Sequence, residues 1–230
     1  MEDKKNILVV AAHPDDEVLG CGGTIARLAH EGHNVSIAIL GEGITSRNES
    51  GGLSIDKQLT VLKQQSGEAA RILGVDKVCH YSLPDNAMDT IPMLTVVKII
   101  EDLIAEIKPN TIFTHHSGDL NIDHSITLRA VLTASRPVNH CTVKHIYSFE
   151  IPSSTEWSCG KISGNYHPNT FVDIESYVEK KIEAMEIYCD EVRSSPHPRS
   201  RDVIVATSCK YGSYAGVSAA EPFELIRGIV

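Results

Sequence analysis

Short runs of apolar and β-branched residues alternate with longer amphipathic segments along most of the chain. Each short run has the length of a strand, and the longer segments place apolar residues at helical spacing. This alternation is typical of βαβ units built around a parallel sheet. We therefore predict strands at residues 6–12, 34–40, 77–82, 111–115 and 144–150.

Helices are predicted between these strands, and glycine or proline marks most of their ends. Segments 17–32 and 59–74 close at a glycine, whereas 91–108 and 125–135 stop just before a proline. A last helix is predicted at residues 174–190, where apolar residues recur at helical spacing. The pattern thus predicts an α/β fold: a single Rossmann-like domain over residues 1–230, with a mostly parallel sheet and helices on both faces.

The net charge of the chain indicates which classes of partner it binds, and its cysteines indicate the cellular compartment. Lys and Arg number 21 against 30 Asp and Glu, a net charge of -9, which repels phosphate backbones and anionic membranes. We therefore expect no nucleic-acid partner. The apolar run at residues 7–12 is too short for a membrane span or a secretory signal. Six cysteines lack C-x-x-C spacing, and we interpret them as reduced thiols of a cytoplasmic protein.

The first candidate site lies where the first predicted strand meets the first helix, at His13-Pro14-Asp15-Asp16-Glu17. In open α/β sheets, ligands bind beyond the carboxyl ends of strands, so reactive side chains are expected there. An imidazole nitrogen of His13 and a carboxylate oxygen of Asp16 both suit zinc. Asp15 would be free to take a proton from a metal-bound water. The alternative is that one aspartate merely caps the helix, but a cap does not explain the histidine and the second carboxylate.

A second cluster of histidines and aspartates, at residues 115–124, follows the fourth predicted strand and leads into a helix. It would lie at the same edge of the sheet as His13, and one of its side chains would complete a three-ligand metal site. We choose His124 for this position, although a lone histidine at a helix start is more often structural. Asp123 beside it would orient a ligand or act with Asp15.

The two motifs, A-H-P-D-D-E at residues 12–17 and D-x-N-x-D-H at residues 119–124, resemble those of the LmbE-like, or PIG-L, family of zinc-dependent N-acetylglucosaminyl deacetylases. The resemblance implies that His13, Asp16 and His124 hold zinc and that Asp15 is the general base. It also implies the reaction, in which metal-bound water attacks the acetamide of an N-acetylglucosamine-type small molecule or its conjugate and releases acetate. Further matching segments lie at residues 20–24, 41–43, 73–75, 83–86 and 220–223.

The same resemblance implies two groups that bind sugar hydroxyls, Arg47 and Asp85, although an arginine in a polar loop is as often simply solvated. One departure concerns Asn121, which stands where some family members have a histidine that acts on the oxyanion or the leaving amine. Asn121 can donate a hydrogen bond to an oxyanion, but it cannot deliver a proton. The sequence therefore leaves the identity of the general acid unassigned.

Two residues of the polar loop at 194–201 are further candidates. His197 could enter the site as the general acid, with Arg199 binding substrate, or Asp15 could pass its own proton onward. The opposing interpretation is that two prolines make this loop a stiff surface turn. The loop at 153–169 is also long and polar, a character more typical of lids and binding loops than of plain connections.

Three alternatives concern cofactor and function. The glycines at residues 20 and 22 resemble a dinucleotide-binding fingerprint, but Ile25 occupies the third glycine position, so close helix packing explains them better. An amidase that cuts a larger amide would use the same metal and base. A non-catalytic carbohydrate- or nucleotide-binding protein is the other rival. The family resemblance also leaves a homo-oligomer open.

Overall fold

The structure is a computed structural model that describes residues 4–43 and 55–230. Within these ranges the chain forms seven strands, which join in one sheet in the order three, two, one, four, five, seven, six. The first five strands are parallel, and the seventh runs antiparallel to the fifth and the sixth. The strands are β1 (Asn6–Ala11), β2 (Asn34–Gly41), β3 (Lys77–Leu83), β4 (Thr111–His115), β5 (His145–Phe149), β6 (Thr170–Asp173) and β7 (Ala220–Gly228).

Helices cover both faces of the sheet. The α-helices are α1 (Asp16–His30), α2 (Ile55–Ile72), α3 (Met93–Ile107), α4 (Ile122–Ala134), α5 (Val178–Ile187) and α6 (Arg201–Ala215). Because alternate residues of a strand point to opposite faces, Val9 packs in the core with residues of α1, α2 and α5, and Val10 packs in the core with residues of α3 and α4. None of the helices in the described ranges combines the length and apolar character needed to cross a bilayer.

The predicted fold class is confirmed, and the five predicted strands lie within one residue of their observed bounds. Among the strands and α-helices of the described residues, three were not predicted. The edge strand β6 has four residues, and β7 is interrupted by a proline, two glutamates and an arginine, so neither shows a clear apolar run. Helix α6 buries only Ile204, Ser208, Tyr211 and Gly212, which leaves it without a recognisable apolar stripe. The helix predicted at 174–190 is shorter, because a 3-10 turn precedes α5.

Helix α1 is broken at Cys21, whose φ and ψ are -149° and 25°. Beyond the break, the Glu221 carboxylate accepts hydrogen bonds from the backbone N–H groups of residues 23 and 24, at 3.0 and 2.7 Å. Lys181 Nζ donates to Glu221 at 2.6 Å and to the Leu19 carbonyl at 2.8 Å. We call this buried ion pair of Glu221 and Lys181 the helix clamp. It satisfies backbone groups on both sides of the break and thereby fixes the direction of the first turns of α1.

The glycines of α1 serve close packing. A Cβ atom at Gly20 would overlap the ring of Phe149, and one at Gly23 would press against Ile174. These contacts support the packing interpretation of the glycines over the dinucleotide fingerprint.

Candidate metal centre

Three buried side chains converge at the carboxyl edge of the sheet. One ligand atom from each of His13, Asp16 and His124 lies within 4.8 Å of the other two. His13 follows β1, Asp16 begins α1, and His124 lies in the first turn of α4. Because β1 and β4 are neighbouring parallel strands, the segments that leave them meet at one edge. The structure thus brings together the three residues that the sequence indicates as metal ligands.

Asp123 orients His13. Its Oδ2 lies 2.9 Å from His13 Nε2, so that the other ring nitrogen, Nδ1, faces Asp16 Oδ2 at 3.4 Å. Backbone N–H groups of Asn86 and Met88 donate to the two oxygens of Asp123 at 2.7 and 2.9 Å and hold the carboxylate in place. These contacts match the orientation of a ligand rather than a role beside Asp15, because the Asp123 carboxylate contacts His13 and the two amides.

His124 is held in the same manner by Asp119. Asp119 Oδ2 lies 2.5 Å from His124 Nδ1, which leaves His124 Nε2 facing Asp16 Oδ2 at 3.3 Å. The ring of His115 stacks on His124 with a centroid distance of 4.0 Å, and its Nε2 accepts a hydrogen bond from the Ala12 N–H. A carboxylate on one ring nitrogen and an open second nitrogen is the usual arrangement of a metal-binding histidine.

The carboxylates of the centre make it strongly attractive to positive charge. Burial alone would lower the pKa of His13, but hydrogen bonds to Asp123 and Asp16 and the charges of Asp16 and Asp85 raise it to about 10. Burial likewise opposes protonation of His124, yet the charge of Asp16 and the hydrogen bond to Asp119 raise its pKa to about 9. In the metal-free protein, protonated His13 and His124 therefore supply the positive charge that the surrounding carboxylates favour.

The donor set fits a divalent metal ion. Among the described residues, His124 Nε2 is buried and lacks a hydrogen-bond partner, although it faces a carboxylate. A buried polar atom of this kind calls for an explanation, and a ligand is one. Two imidazole nitrogens and one carboxylate oxygen are also a known set of protein ligands for catalytic zinc, which keeps a further position open.

Asp15 lies beside this donor set but in a different environment. It adopts a φ of 102°, an uncommon value for a residue with a side chain, and its carboxylate makes no capping hydrogen bond. The Glu17 carboxylate accepts a hydrogen bond from the Asp15 N–H at 3.1 Å. Arg199 Nη1 donates to Asp15 Oδ2 at 2.8 Å and to Glu191 Oε2 at 2.9 Å. Burial raises the pKa of Asp15 well above its ordinary value, and the charge of Arg199 opposes that shift.

A small polar cavity of about 70 Å³ opens onto these groups. Asp85 and Asn121 contribute to its wall, as the sequence suggests for groups that contact a substrate. Asp85 Oδ1 lies 3.3 Å from His13 Nε2, and Asn121 Oδ1 accepts the Asp123 N–H at the start of α4. The wall comprises His13, Pro14, Asp15, Asp16, Gly43, Asp85, Asn86, Asn121, His124, Ser154, Glu191 and Arg199.

The two candidates from the loop at 194–201 differ in position. Arg199 reaches the cavity, and its guanidinium donates hydrogen bonds to Asp15 and Glu191. His197 does not contribute to the cavity wall; its ring packs edge-on against Trp157 at 5.4 Å, and its Nδ1 accepts the Arg199 N–H. Arg47 lies outside the described residues.

Sequence reasoning missed three acidic residues at this centre: Asp119, Glu191 and Glu17. Asp119 begins the motif at residues 119–124, and its acidic side chain in the loop just before the helix of His124 was the available signal. Glu17 also lies in a quoted motif, and burial raises its pKa to about 7 although the Tyr188 hydroxyl donates to it. Glu191 had no signal in the sequence, because its place depends on where Arg199 lies in the fold.

Comparisons with known proteins agree with this geometry. Residues 8–135, more than half of the chain, match the model of the family PIG-L, described as GlcNAc-PI de-N-acetylase. An uncharacterized deacetylase of Escherichia coli K12, YaiS, is 28% identical over 192 residues, which cover 80% of this chain and 90% of that protein.

Two solved structures share the fold. N,N'-diacetylchitobiose deacetylase from Pyrococcus horikoshii has a TM-score of 0.79 and 20% identity, covering 99% of this chain and 85% of the other. The 4-carboxy-2-hydroxymuconate hydratase GalB from Pseudomonas putida KT2440 has a TM-score of 0.78 and 22% identity, covering 98% of each chain. At these identities the likeness shows the fold alone, and the presence of a hydratase among the neighbours means that the fold does not decide the reaction.

Proposed function

Because this chain belongs to the PIG-L family of de-N-acetylases, we propose that it removes the acetyl group from an N-acetylglucosamine-type amino sugar carried on a conjugate. The observation that carries the proposal is the convergence of His13, Asp16 and His124 next to Asp15 in one buried cavity. Its deacetylase relatives place the chain among the hydrolases that cut amide bonds.

We propose zinc as the metal ion. His13, Asp16 and His124 would hold it, with Asp123 and Asp119 keeping the two imidazoles in the ligating orientation. When bound, zinc supplies a Lewis acid that polarises an amide carbonyl and lowers the pKa of water. The support for zinc is the donor set of two nitrogens and one oxygen.

Asp15 is proposed as the general base. Its Oδ2 is held by Arg199 at 2.8 Å, which leaves Oδ1 to take a proton from the water that attacks the amide carbonyl. The hydrogen bonds of Arg199 to Asp15 and to Glu191 keep the carboxylate in one orientation during this transfer. Asp15 lies within the wall of the cavity, so a substrate placed there comes within its reach.

Asn121 is proposed as the donor to the oxyanion that forms on the carbonyl oxygen. Its Oδ1 is already engaged by the Asp123 N–H, so its NH₂ group is the part that can donate into the cavity. Asp85 is proposed to accept hydrogen bonds from sugar hydroxyls at the same wall. A role for Arg47 in sugar binding remains a prediction from the sequence.

The leaving amine needs a proton, and we propose that Asp15 returns the one it has taken. His197 is a poor candidate for this step because it lies outside the cavity wall and packs against Trp157. Arg199 is accordingly proposed as a positioning residue for Asp15 rather than as a direct substrate contact.

Three further proposals concern organisation. We propose that residues 1–230 act as one domain, because the centre draws on side chains from His13 to Arg199 around a single sheet. We propose a cytoplasmic location, which the free thiols of the six cysteines support. A homo-oligomer is proposed from the family resemblance and awaits a measurement of mass in solution.

The test is release of acetate and a free amine from N-acetylglucosamine conjugates by the zinc-loaded protein, with Asp15→Asn assayed alongside. We expect turnover by the unchanged protein, and a loss of roughly 100-fold or more in Asp15→Asn with its zinc content retained. A control, Asp102→Asn, changes an exposed acid on α3 and is expected to keep full turnover.

The same assay separates the rival functions. An amidase for larger amides would release longer acids faster than acetate from matched N-acyl sugars. A non-catalytic sugar-binding protein would bind the conjugates without releasing any acid, and Asp15→Asn would bind them equally well.

A further inference from the structure

The backbone of Asp15 departs from the conformation that its place in the fold favours. Its carbonyl accepts the Leu19 N–H at 2.9 Å, so Asp15 is the N-cap of α1. An N-cap usually has an extended backbone, and its side chain accepts a hydrogen bond from the first turn of the helix. Asp15 instead has a φ of 102° and a ψ of -30°, and its carboxylate makes no such bond. This conformation persists only where neighbouring contacts impose it.

Glu17 supplies a contact that holds the Asp15 main chain. Its Oε2 accepts the Asp15 N–H at 3.1 Å, and its Oε1 accepts the Tyr188 hydroxyl at 2.6 Å. Glu17 and Tyr188 are each only 1% exposed, so both hydrogen bonds are shielded from water. Tyr188 therefore fixes the carboxylate that in turn fixes the backbone of Asp15.

The turn that carries Tyr188 also carries Glu191. Tyr188 follows the last residue of α5, and its carbonyl accepts the Glu191 N–H at 2.8 Å. Glu191 binds Arg199, and Arg199 donates to Asp15 Oδ2. One turn of the chain thus reaches Asp15 by two routes, through Glu17 to the main chain and through Arg199 to the carboxylate.

We infer that Glu17 and Tyr188 are positioning residues, which hold the main chain of Asp15 so that its carboxylate serves the cavity instead of capping α1. This inference rests on the proposed role of Asp15 as general base. Neither Glu17 nor Tyr188 contributes to the cavity wall, and neither belongs to the metal donor set. Their effect on the reaction is therefore transmitted through Asp15.

The test is Tyr188→Phe, which removes one hydroxyl and keeps the buried ring. In the zinc-loaded protein, assayed for acetate release from an N-acetylglucosamine conjugate, we expect kcat to fall roughly 10-fold or more. KM and zinc content should stay unchanged, because the base is displaced while the metal ligands remain in place. The matched control is Tyr177→Phe, which removes a hydroxyl that contacts His30 at the surface and should keep full kcat.

Double variants show whether Tyr188 acts through the base. In Asp15→Asn the base is already lost, so the addition of Tyr188→Phe should lower kcat no further. If the tyrosine only stabilised the fold, the same addition would lower the residual rate by the full factor seen in the unchanged protein.

Glu17 is tested by a pair of substitutions of similar size. Glu17→Met removes the acceptor of the Asp15 N–H and is expected to lower kcat at least as much as Tyr188→Phe. Glu17→Gln keeps an amide oxygen that can accept the same N–H, and it should retain most of the rate. Equal losses in the two variants would contradict the role assigned to Glu17.

Crystal structures of the unchanged protein and of Tyr188→Phe give a measurement that does not depend on turnover. We expect the φ of Asp15 to leave the positive range in the variant, with its carboxylate turned towards the first turn of α1. An unchanged Asp15, with full kcat or with losses that add in the double variant, would overturn the inference and leave the deacetylase function standing. Absence of acetate from the unchanged protein, with Asp15 displaced in Tyr188→Phe, would overturn the function and keep Glu17 and Tyr188 as the residues that hold Asp15.

Discussion

Arg199 donates a hydrogen bond to Asp15 from the far end of the chain, and the 2.8 Å contact is shared with Glu191 at 2.9 Å. A cation between two buried carboxylates holds both in place and compensates their charge. The proposed base is therefore not an independent side chain but one member of an ion-paired group.

We predict that Arg199→Met lowers kcat/KM roughly 100-fold, because Asp15 loses both its orientation and its charge partner. Loss of the guanidinium also raises the pKa of Asp15 further above its ordinary value, so the acid limb of the rate profile moves to higher pH. Unfolding by denaturant should show a loss of about 3 kcal/mol from the uncompensated carboxylates.

The matched control for this variant is Arg201→Met, two residues along the chain, where the arginine pairs with Glu179 on the surface. It should change neither the profile nor the stability. An unshifted acid limb in Arg199→Met would contradict the role assigned to Arg199.

Asn121 caps α4 and is also proposed to donate to the oxyanion. The variant Asn121→Ser separates these two roles. Serine keeps an oxygen that can cap α4 but lacks the NH₂ donor proposed for the oxyanion. We predict a fall in kcat of about 100-fold to 1,000-fold, with the free energy of unfolding within about 1 kcal/mol of the unchanged protein. Steady-state kinetics and denaturant titration measure the two quantities. Unchanged kcat would show that another group stabilises the oxyanion.

Asp119 acts through His124, so its effect should appear in metal affinity before it appears in the reaction. We predict that Asp119→Ala weakens zinc binding about 10-fold to 100-fold, because His124 loses the carboxylate that orients its ring. Competition with a chelator measures the affinity. Turnover at saturating zinc should recover in large part, and failure to recover would assign Asp119 a direct part in the reaction.

The raised pKa values of His13 and His124 predict how the stability of the metal-free protein depends on pH. Both groups bind protons more tightly when folded than at the ordinary value of 6.5. Their contribution is therefore full below about pH 6.5 and is lost as pH rises through about 9 and 10. In excess chelator, we predict that Tm falls between pH 8 and pH 10, a range in which Glu17, with a pKa of about 7, is already ionised.

Zinc supplies the control for this experiment, since a bound metal displaces both protons. The zinc-loaded protein should show a smaller fall in Tm over the same range, and zinc binding near neutral pH should release protons. Identical slopes with and without zinc would show that the two histidines do not govern the effect.

The centre of the sheet could be predicted because β1, β2 and β4 are buried almost throughout and leave clear apolar runs. The elements β6, β7 and α6 could not be predicted, because their polar and apolar residues do not alternate with the regular period of a strand or a helix. The ligand cluster was readable because His13, Asp16 and His124 lie in two compact motifs. The partners of Asp15 could not be predicted, because Arg199 and Glu191 are distant in the sequence and come close to Asp15 only in the folded chain. His197 is a suggestive residue type in a nearby loop, but its ring packs against Trp157 and lies outside the cavity wall.

The helix clamp has a consequence for how the protein is made. The family match ends at residue 135, and every proposed ligand lies before that point. Yet Glu221 and Lys181 satisfy the backbone on both sides of the break in α1 that begins with Asp16. A nascent chain on the ribosome therefore carries the complete ligand set long before it can hold that set in its final geometry, and we expect metal loading to follow synthesis rather than accompany it.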